Sequence, residues 1–184
     1  MPREAPIELS PAAWASLALL AEEPAHGFAI ARALASGGEV GRVWSCSRPL
    51  VYRAFAVLAE LGLVEARGLE PSDVGPRRTV LQPTRAGRRE LERWLAEPVA
   101  HVRELRSELM LKLLFLSRRG GDATELLTRQ GAALQPVVDG LEEAVRRADG
   151  FDRVLYLWRL ESARAALRFV EEISPEVPAA SPLP

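Results

Sequence analysis

The sequence is poor in the residues that build disulfides and metal sites. It holds one cysteine, Cys46, and two histidines, His26 and His101. A disulfide framework and a cysteine-ligated zinc site both need several sulfurs, so both are excluded, and two histidines leave little for any other metal site. The sequence therefore predicts neither a bound metal nor a cofactor.

The chain also lacks an excess of charge, a secretion signal and a long apolar run. Its 24 cationic and 25 acidic side chains give a formal net charge of -1, which taken alone argues against nucleic acid. Residues 1–10 carry charges and a proline where a signal peptide needs an apolar core. The most apolar stretch, residues 105–116, is short and is interrupted by Glu108 and Lys112, so it does not span a bilayer. We therefore expect a cytoplasmic protein without a membrane segment.

Arrangements typical of catalysis are missing as well. No set of serine, histidine and aspartate, or of cysteine and histidine, has a plausible spacing, and no glycine-rich loop could cradle a phosphate. The chain nonetheless has 184 residues, of which 48% are hydrophobic, so it is long and apolar enough for one large or two small domains. The sequence predicts a folded protein that is not an enzyme.

What the first half does contain is a regular order of helix and strand signals. Two helices begin with a serine cap followed by a proline, which fits the first helical positions because it needs no N–H there. The predicted elements are, in chain order, a helix from Ser10-Pro11, a short helix from about His26 to Ala35, a helix from Ser47-Arg48-Pro49, short strands at residues 63–67 and 79–81, and a helix from Pro83-Thr84 to near Pro98.

Three helices, a two-stranded hairpin and a fourth helix describe a winged helix-turn-helix module. In such a module the third helix enters the major groove of DNA, and the hairpin, or wing, lies against the adjacent backbone. Arg48, Tyr52 and Arg53 share roughly one face of that helix, and Arg77 and Arg78 place two cations at the edge of the wing. Arginine can donate two hydrogen bonds to guanine, while serine and tyrosine can bind phosphate. The predicted DNA-binding residues are Ser47, Arg48, Leu50, Tyr52, Arg53, Arg77 and Arg78.

The second half is predicted to be helical throughout. Residues 102–117 form one helix, Asp122 caps a second that runs toward Ala148, and residues 151–173 form a third. Pro136 is expected to kink the middle helix. Two long helices with apolar stripes are more than one subunit can bury, so we expect a homodimer. The fold class is therefore mainly α, with a winged helix-turn-helix domain at residues 9–98, a helical dimerisation domain at 99–173 and a disordered proline-rich tail at 174–184.

Several stretches of this chain resemble the PadR family of transcriptional regulators. They are Leu17-Ala18-Leu19-Leu20, Pro24 to Ile30, Val51-Tyr52-Arg53, Leu58 to Val64, Gly75 to Val80 and Pro83 to Gly87, followed by Leu91 and Trp94-Leu95. Together they cover about residues 9–97 by motif. The resemblance implies a winged helix that binds double-stranded DNA, C-terminal helices that dimerise, and a small-molecule effector that is often aromatic or lipophilic. An aromatic effector pocket of this kind would use Trp94 and Trp158.

Ordinary structural roles compete with these functional ones. His26 could contact a ligand, but a cap of the second helix, with Phe28 filling the core, is the more frequent arrangement. Cys46 is a candidate thiol sensor, although no second cysteine is present to resolve it. Tryptophans such as Trp94 and Trp158 lie in a core or an interface more often than in an effector pocket.

Two functions of different classes fit these observations. The first is a homodimeric transcriptional regulator, a repressor, that binds a palindromic operator and is released by a small-molecule effector. The alternative is a winged helix that serves as a protein-interaction or small-molecule-binding module without DNA binding. An acidic or apolar third helix would favour the alternative. The polar residues of the third helix and the wing could also form an ordinary solvated surface that binds no partner. The position of Arg48 and Arg53 in the module favours DNA.

Overall fold

The computed structural model describes residues 7–70 and 77–174 of the chain. These residues form two compact units, which divide in the sequence between Trp94 and Leu95. Apart from Ser174, the predicted tail lies outside the described residues, as do Gly75 and Pro76 at the predicted wing turn. The domain limits given above therefore remain predictions.

The first unit has the order of helices and strands that the sequence predicts for a winged helix. The described elements are α1 (Pro11–Glu22), β1 (Ala25–His26), α2 (Gly27–Ala33), α3 (Arg48–Glu60), β2 (Val64–Glu70), β3 (Arg78–Pro83) and α4 (Arg85–Ala96), the last of which crosses the division between the units. The predicted fold class, mainly α with a winged helix-turn-helix followed by further helices, is confirmed.

The sheet of this unit has three antiparallel strands in the order β1-β3-β2, whereas the sequence predicts a two-stranded wing. The additional strand is β1, in which Ala25 lies opposite Leu81 and His26 lies opposite Val80. Two residues are too few to show the alternation that identifies a strand in a sequence. The pairing matters for function because it fixes His26 beside the strand that carries Arg78.

Side chains from all four helices form the core of the first unit. The fully buried leucines include Leu17 and Leu20 of α1, Leu34 directly after α2, Leu58 of α3 and Leu91 of α4. Trp14 and Trp94 stack with their ring centroids 5.1 Å apart and their planes at 11°, which ties α1 to α4. The core therefore holds α3 between fixed neighbours.

Side-chain hydrogen bonds cap the first turns of α1 and α4. Ser10 Oγ accepts a hydrogen bond of 3.3 Å from the Ala13 backbone N–H, as its sequence position predicts. Thr84 Oγ1 accepts from Gly87 N–H at 3.0 Å and donates to the Gly62 carbonyl at 2.8 Å, so it also joins α4 to the end of α3. Ser47 stands in the cap position of α3, but its side chain makes no cap hydrogen bond.

The second unit is helical, and one predicted helix differs in detail. The elements that follow α4 are α5 (Val102–Glu104), a π-helical segment (Leu105–Leu109), α6 (Met110–Arg118), α7 (Thr124–Arg147) and α8 (Gly150–Ile173). The helix predicted over residues 102–117 is present as one unbroken helical run, but it contains a π-helical turn, whose extra residue apolar spacing does not reveal. Asp122 Oδ1 accepts from Thr124 N–H at 2.8 Å, and Pro136 lies inside a continuous α7.

Among the described residues of the second unit, the side chains of Lys112 and Gln130 are polar and buried. The Lys112 ammonium donates to the Glu97 carbonyl at 2.6 Å and lies 3.4 Å from Glu108 Oε1. Burial lowers the pKa of Lys112, and the neighbouring Glu108 carboxylate opposes that shift. Gln130 accepts from the Val99 N–H at 2.8 Å and donates to the Val99 carbonyl at 3.1 Å, so its amide fixes the segment before α5.

In the described part of the chain, the structure contains no helix with the length and apolar character that crossing a membrane requires.

Candidate nucleic-acid interface

Helix α3 separates its side chains into an inner and an outer set. Val51, Ala54, Phe55 and Leu58 are buried, and this apolar stripe holds the helix on the core. The predicted DNA-binding residues of the helix and its cap position are all exposed: Ser47, Arg48, Leu50, Tyr52 and Arg53. The N-terminal half of α3 therefore presents cations and hydrogen-bonding groups to solvent.

The wing brings further cations to the same unit. Arg77 is exposed directly before β3, and Arg78 is the first residue of that strand, paired in register with Glu70 of β2. Arg77 and Arg78 line one open pocket of about 440 Å³ together with Arg48 and Tyr52 of α3. The structure therefore places four of the seven predicted residues around one pocket, while Ser47, Leu50 and Arg53 lie elsewhere on the exposed surface of α3.

Phe28 lies between the two arginines that approach from different elements. The guanidinium carbon of Arg48 is 5.2 Å from the centroid of the Phe28 ring, and that of Arg78 is 5.5 Å from it. Arg48 also lies 5.6 Å from the Tyr52 ring. The expectation that Phe28 fills the core was wrong, because its ring is 42% exposed and packs against guanidinium groups. Phe28 instead holds Arg48 and Arg78 near each other.

His26 joins the same group from β1. Its Nδ1 accepts a hydrogen bond of 3.1 Å from the Ala29 backbone N–H, so the prediction that His26 caps α2 is confirmed. Its Nε2 lies 3.3 Å from Nη1 of Arg78. The next residue is glycine for a steric reason, since a Cβ at Gly27 would lie 3.1 Å from Tyr52 Cε1 and 3.2 Å from Phe55 Cε2. We call His26, Phe28, Arg48, Tyr52 and Arg78 the wing pocket.

The arginines of this surface have no acidic partner within the part of the chain that the structure describes. Ion pairs occur elsewhere, for example between Arg93 and Glu90 at 3.0 Å, but none involves Arg48, Arg53, Arg77 or Arg78. A chain with a formal net charge of -1 therefore carries a local concentration of cations that form no ion pair with the described residues. Such a surface attracts an anion.

The other candidate side chains have different surroundings. Trp94 is buried against Trp14 in the first unit, and Trp158 is 72% exposed on α8 in the second. Cys46 is partly buried, and this burial raises the pKa of its thiol, which disfavours the reactive thiolate. Among residues 7–70 and 77–174, no cluster of three or more potential metal ligands is present.

The sequence of the first unit matches one known family. Residues 17–93 fit the family described as "Transcriptional regulator PadR-like family". This segment is a PadR-like domain. No curated protein matches the chain.

Solved structures of PadR from Bacillus subtilis are among those similar to most of this chain. Bacillus subtilis PadR in complex with operator DNA is 22% identical, with 90% of this chain and 98% of that chain covered and a TM-score of 0.45. The smu.1604c protein of Streptococcus mutans is 14% identical, with coverages of 87% and 96% and a TM-score of 0.42. Bacillus subtilis PadR in complex with p-coumaric acid is 20% identical, with coverages of 92% and 98% and a TM-score of 0.40.

Sequence reasoning missed two members of the wing pocket in this PadR-like domain. Both were assigned structural roles because they belong to the short helix α2 and not to α3: His26 directly precedes α2, and Phe28 lies within it. Their common location with Arg48 and Arg78 depends on the pairing of β1 with β3. Neither residue spacing nor helical periodicity carries a signal for such a pairing.

Proposed function

We propose that the protein is a transcriptional regulator that binds double-stranded DNA through α3 and the wing of its PadR-like domain. The observation that carries the proposal is the cluster of exposed arginines on α3 and β3, which has no acidic partner among the described residues. In a winged helix, the N-terminal half of the third helix is the part that enters the major groove. A cationic surface at this position favours DNA over a protein partner.

Individual residues would take different roles. Arg53 projects from α3 outside the wing pocket, so it is the candidate for bidentate hydrogen bonds to guanine O6 and N7. Arg48, Arg77 and Arg78 surround the pocket and are candidates for phosphate contacts, with Tyr52 as a further donor. Ser47 and Leu50, exposed at the start of α3, would contact the backbone and the apolar edge of a base.

We also propose that the protein acts as a homodimer on a palindromic operator. Helix α8 exposes large apolar side chains that the described residues do not cover: Phe151, Val154, Leu157 and Trp158. Spacings of three and four residues place these side chains on neighbouring positions of the helix surface. Exposed apolar groups of this size are typical of an interface. A two-fold dimer would present two α3 helices to half-sites about one helical turn apart.

Repression is the simplest outcome of such binding, because a dimer seated on an operator blocks transcription. Release by a small-molecule effector, with Trp94 and Trp158 at its site, stays a prediction. A selection from random duplex DNA tests the proposal directly. We expect enrichment of a palindrome, and failure to enrich any sequence at low salt would contradict sequence-specific binding.

The Arg53→Ala variant then tests the role of α3 on the selected operator. If Arg53 reads a base, we expect a loss of about 1–3 kcal/mol on that operator and a smaller loss on a scrambled duplex. Arg103→Ala is the matched control, because Arg103 is an exposed arginine of α5 in the other unit. A loss of affinity that is the same for both variants would contradict the role given to α3.

A further inference from the structure

We infer that His26 binds one phosphate of the DNA backbone, together with Arg78 and Arg48, in the wing pocket. The inference rests on the proposed DNA-binding function and adds a contact outside the recognition helix. His26 lies on β1, and its known contact is the cap of α2. Its other ring nitrogen faces the pocket and provides the observation from which the argument starts.

The two contacts of the His26 ring cannot both be hydrogen bonds. A neutral imidazole carries one N–H, so one ring nitrogen donates and the other accepts. Nδ1 accepts from the Ala29 N–H at 3.1 Å, which assigns the proton to Nε2. Nη1 of Arg78 is 3.3 Å from that Nε2, and a guanidinium has donors only. The contact between Arg78 and His26 therefore brings two N–H donors together without an acceptor.

The alternative tautomer is less favourable. A proton on Nδ1 would let Nε2 accept from Arg78, but it would leave the Ala29 backbone N–H of α2 without its cap. That N–H has no carbonyl partner inside the helix, because it belongs to the first turn. Arg78 is exposed and can use water instead. The cap therefore decides the tautomer, and Nε2–H points into the pocket.

Further donors converge on this position. Arg48 and Arg78 flank the Phe28 ring at 5.2 and 5.5 Å, and the pocket of about 440 Å³ between them is also lined by Tyr52. No described carboxylate pairs with either arginine. An acceptor-only anion satisfies all of these groups at once, and charge-assisted hydrogen bonds from guanidinium to phosphate are strong.

The position of the pocket favours a backbone phosphate over a base. The His26 ring is short and is held by its cap, so it cannot extend from the protein surface as a long side chain of α3 can. The wing of a winged helix lies along the DNA backbone beside the groove that α3 enters. A phosphodiester that passes the wing would meet His26, Arg78 and Arg48 together.

The His26→Asn variant separates the cap from the phosphate contact. Asparagine is a strong N-cap residue, so its side-chain oxygen replaces Nδ1, while its amide N–H groups lie closer to the backbone and do not reach the position of Nε2–H. We expect DNA affinity to fall about tenfold on operator and scrambled duplex alike, because a phosphate contact carries no sequence information. The slope of affinity against salt should not change, since the neutral imidazole releases no counterion, whereas Arg78→Ala should reduce it by about one.

The protein provides a matched control in its second histidine. His101 occupies the N-cap position of α5 in the other unit, so His101→Asn is the same substitution at the same kind of position. We expect this variant to bind DNA like the wild type. Thermal unfolding of both variants checks that each folds.

A second measurement changes the DNA instead of adding a further protein variant. Replacement of single phosphates by neutral methylphosphonate, one position at a time, should weaken wild-type binding at the phosphate that meets the wing pocket in each half-site. It should weaken His26→Asn less at that position, because this variant has only the contacts of Arg48 and Arg78 left to lose. Equal affinity of His26→Asn and wild type, or equal sensitivity of both to every methylphosphonate, would overturn the inference while DNA binding stands. Absence of any DNA binding by the wild type would overturn the proposed function as well.

Discussion

The exposed apolar side chains of α8 allow the proposed dimer to be tested by one substitution, Trp158→Ala. The Trp158 side chain is 72% exposed, and its neighbours Phe151 and Val154 are 78% and 60% exposed. A tryptophan can bury up to about 250 Å², so cover by a second copy would remove about 180 Å² of it from water, worth about 4.5 kcal/mol at ~25 cal/mol/Å². The free energy of dimer association includes only part of this burial energy, because the side chains at the interface lose conformational freedom when they become ordered.

We therefore expect Trp158→Ala to cost about 2 kcal/mol per protomer, which raises the dissociation constant of the dimer roughly 1000-fold for two protomers. Sedimentation equilibrium over a dilution series measures this constant. Leu69→Ala is a suitable control, because Leu69 is an apolar residue of β2 that is 60% exposed and lies in the other unit. A monomeric wild type, or a Trp158→Ala variant that dimerises as tightly as the wild type, would refute the reasoning.

Two further predictions concern single side chains in the two units. Phe28→Leu should lower DNA affinity by up to about thirtyfold without a change in salt slope, because two exposed cation–π contacts of about 0.5–1 kcal/mol each no longer orient Arg48 and Arg78. Fluorescence anisotropy checks this, and an unchanged affinity would show that the Phe28 ring does not position them. Lys112→Met should lower the free energy of unfolding by about 1–3 kcal/mol, because the partly buried hydrogen bond to the Glu97 carbonyl loses its donor and Glu108 loses its ion pair with Lys112. Urea unfolding measures the loss, and a variant as stable as the wild type would contradict it.

Much of the winged helix could be predicted because its signals are local. Ser10 and the apolar stripe of α3 mark helices through caps and spacing, and the structure confirms both. Strand β1 could not be predicted, because a two-residue strand exists only through its pairing with β3. The π-helical segment Leu105–Leu109 was also missed, since one extra residue in a helical turn leaves the apolar pattern almost unchanged.

The candidate site was predicted in part for the same reason. Arg48, Tyr52 and Arg53 could be assigned to the exposed face of α3 because helical periodicity determines that face. The wing pocket depends instead on contacts between residues that lie about 50 positions apart, such as His26 with Arg78. Phe28 is an example. A single aromatic residue in an apolar helix predicts a core position, but the Phe28 ring packs against the guanidinium groups of Arg48 and Arg78, which belong to two other elements.

The ratio of affinities for the selected operator and a scrambled duplex tests the central claim most directly, when it is measured for wild type and Arg53→Ala over a range of salt. We predict a steep loss of wild-type affinity with salt, a clear preference for the operator, and a reduced preference in Arg53→Ala. The absence of DNA binding at low salt would contradict the claim that α3 and the wing bind DNA. An operator preference that Arg53→Ala leaves intact would contradict the claim that Arg53 reads a base.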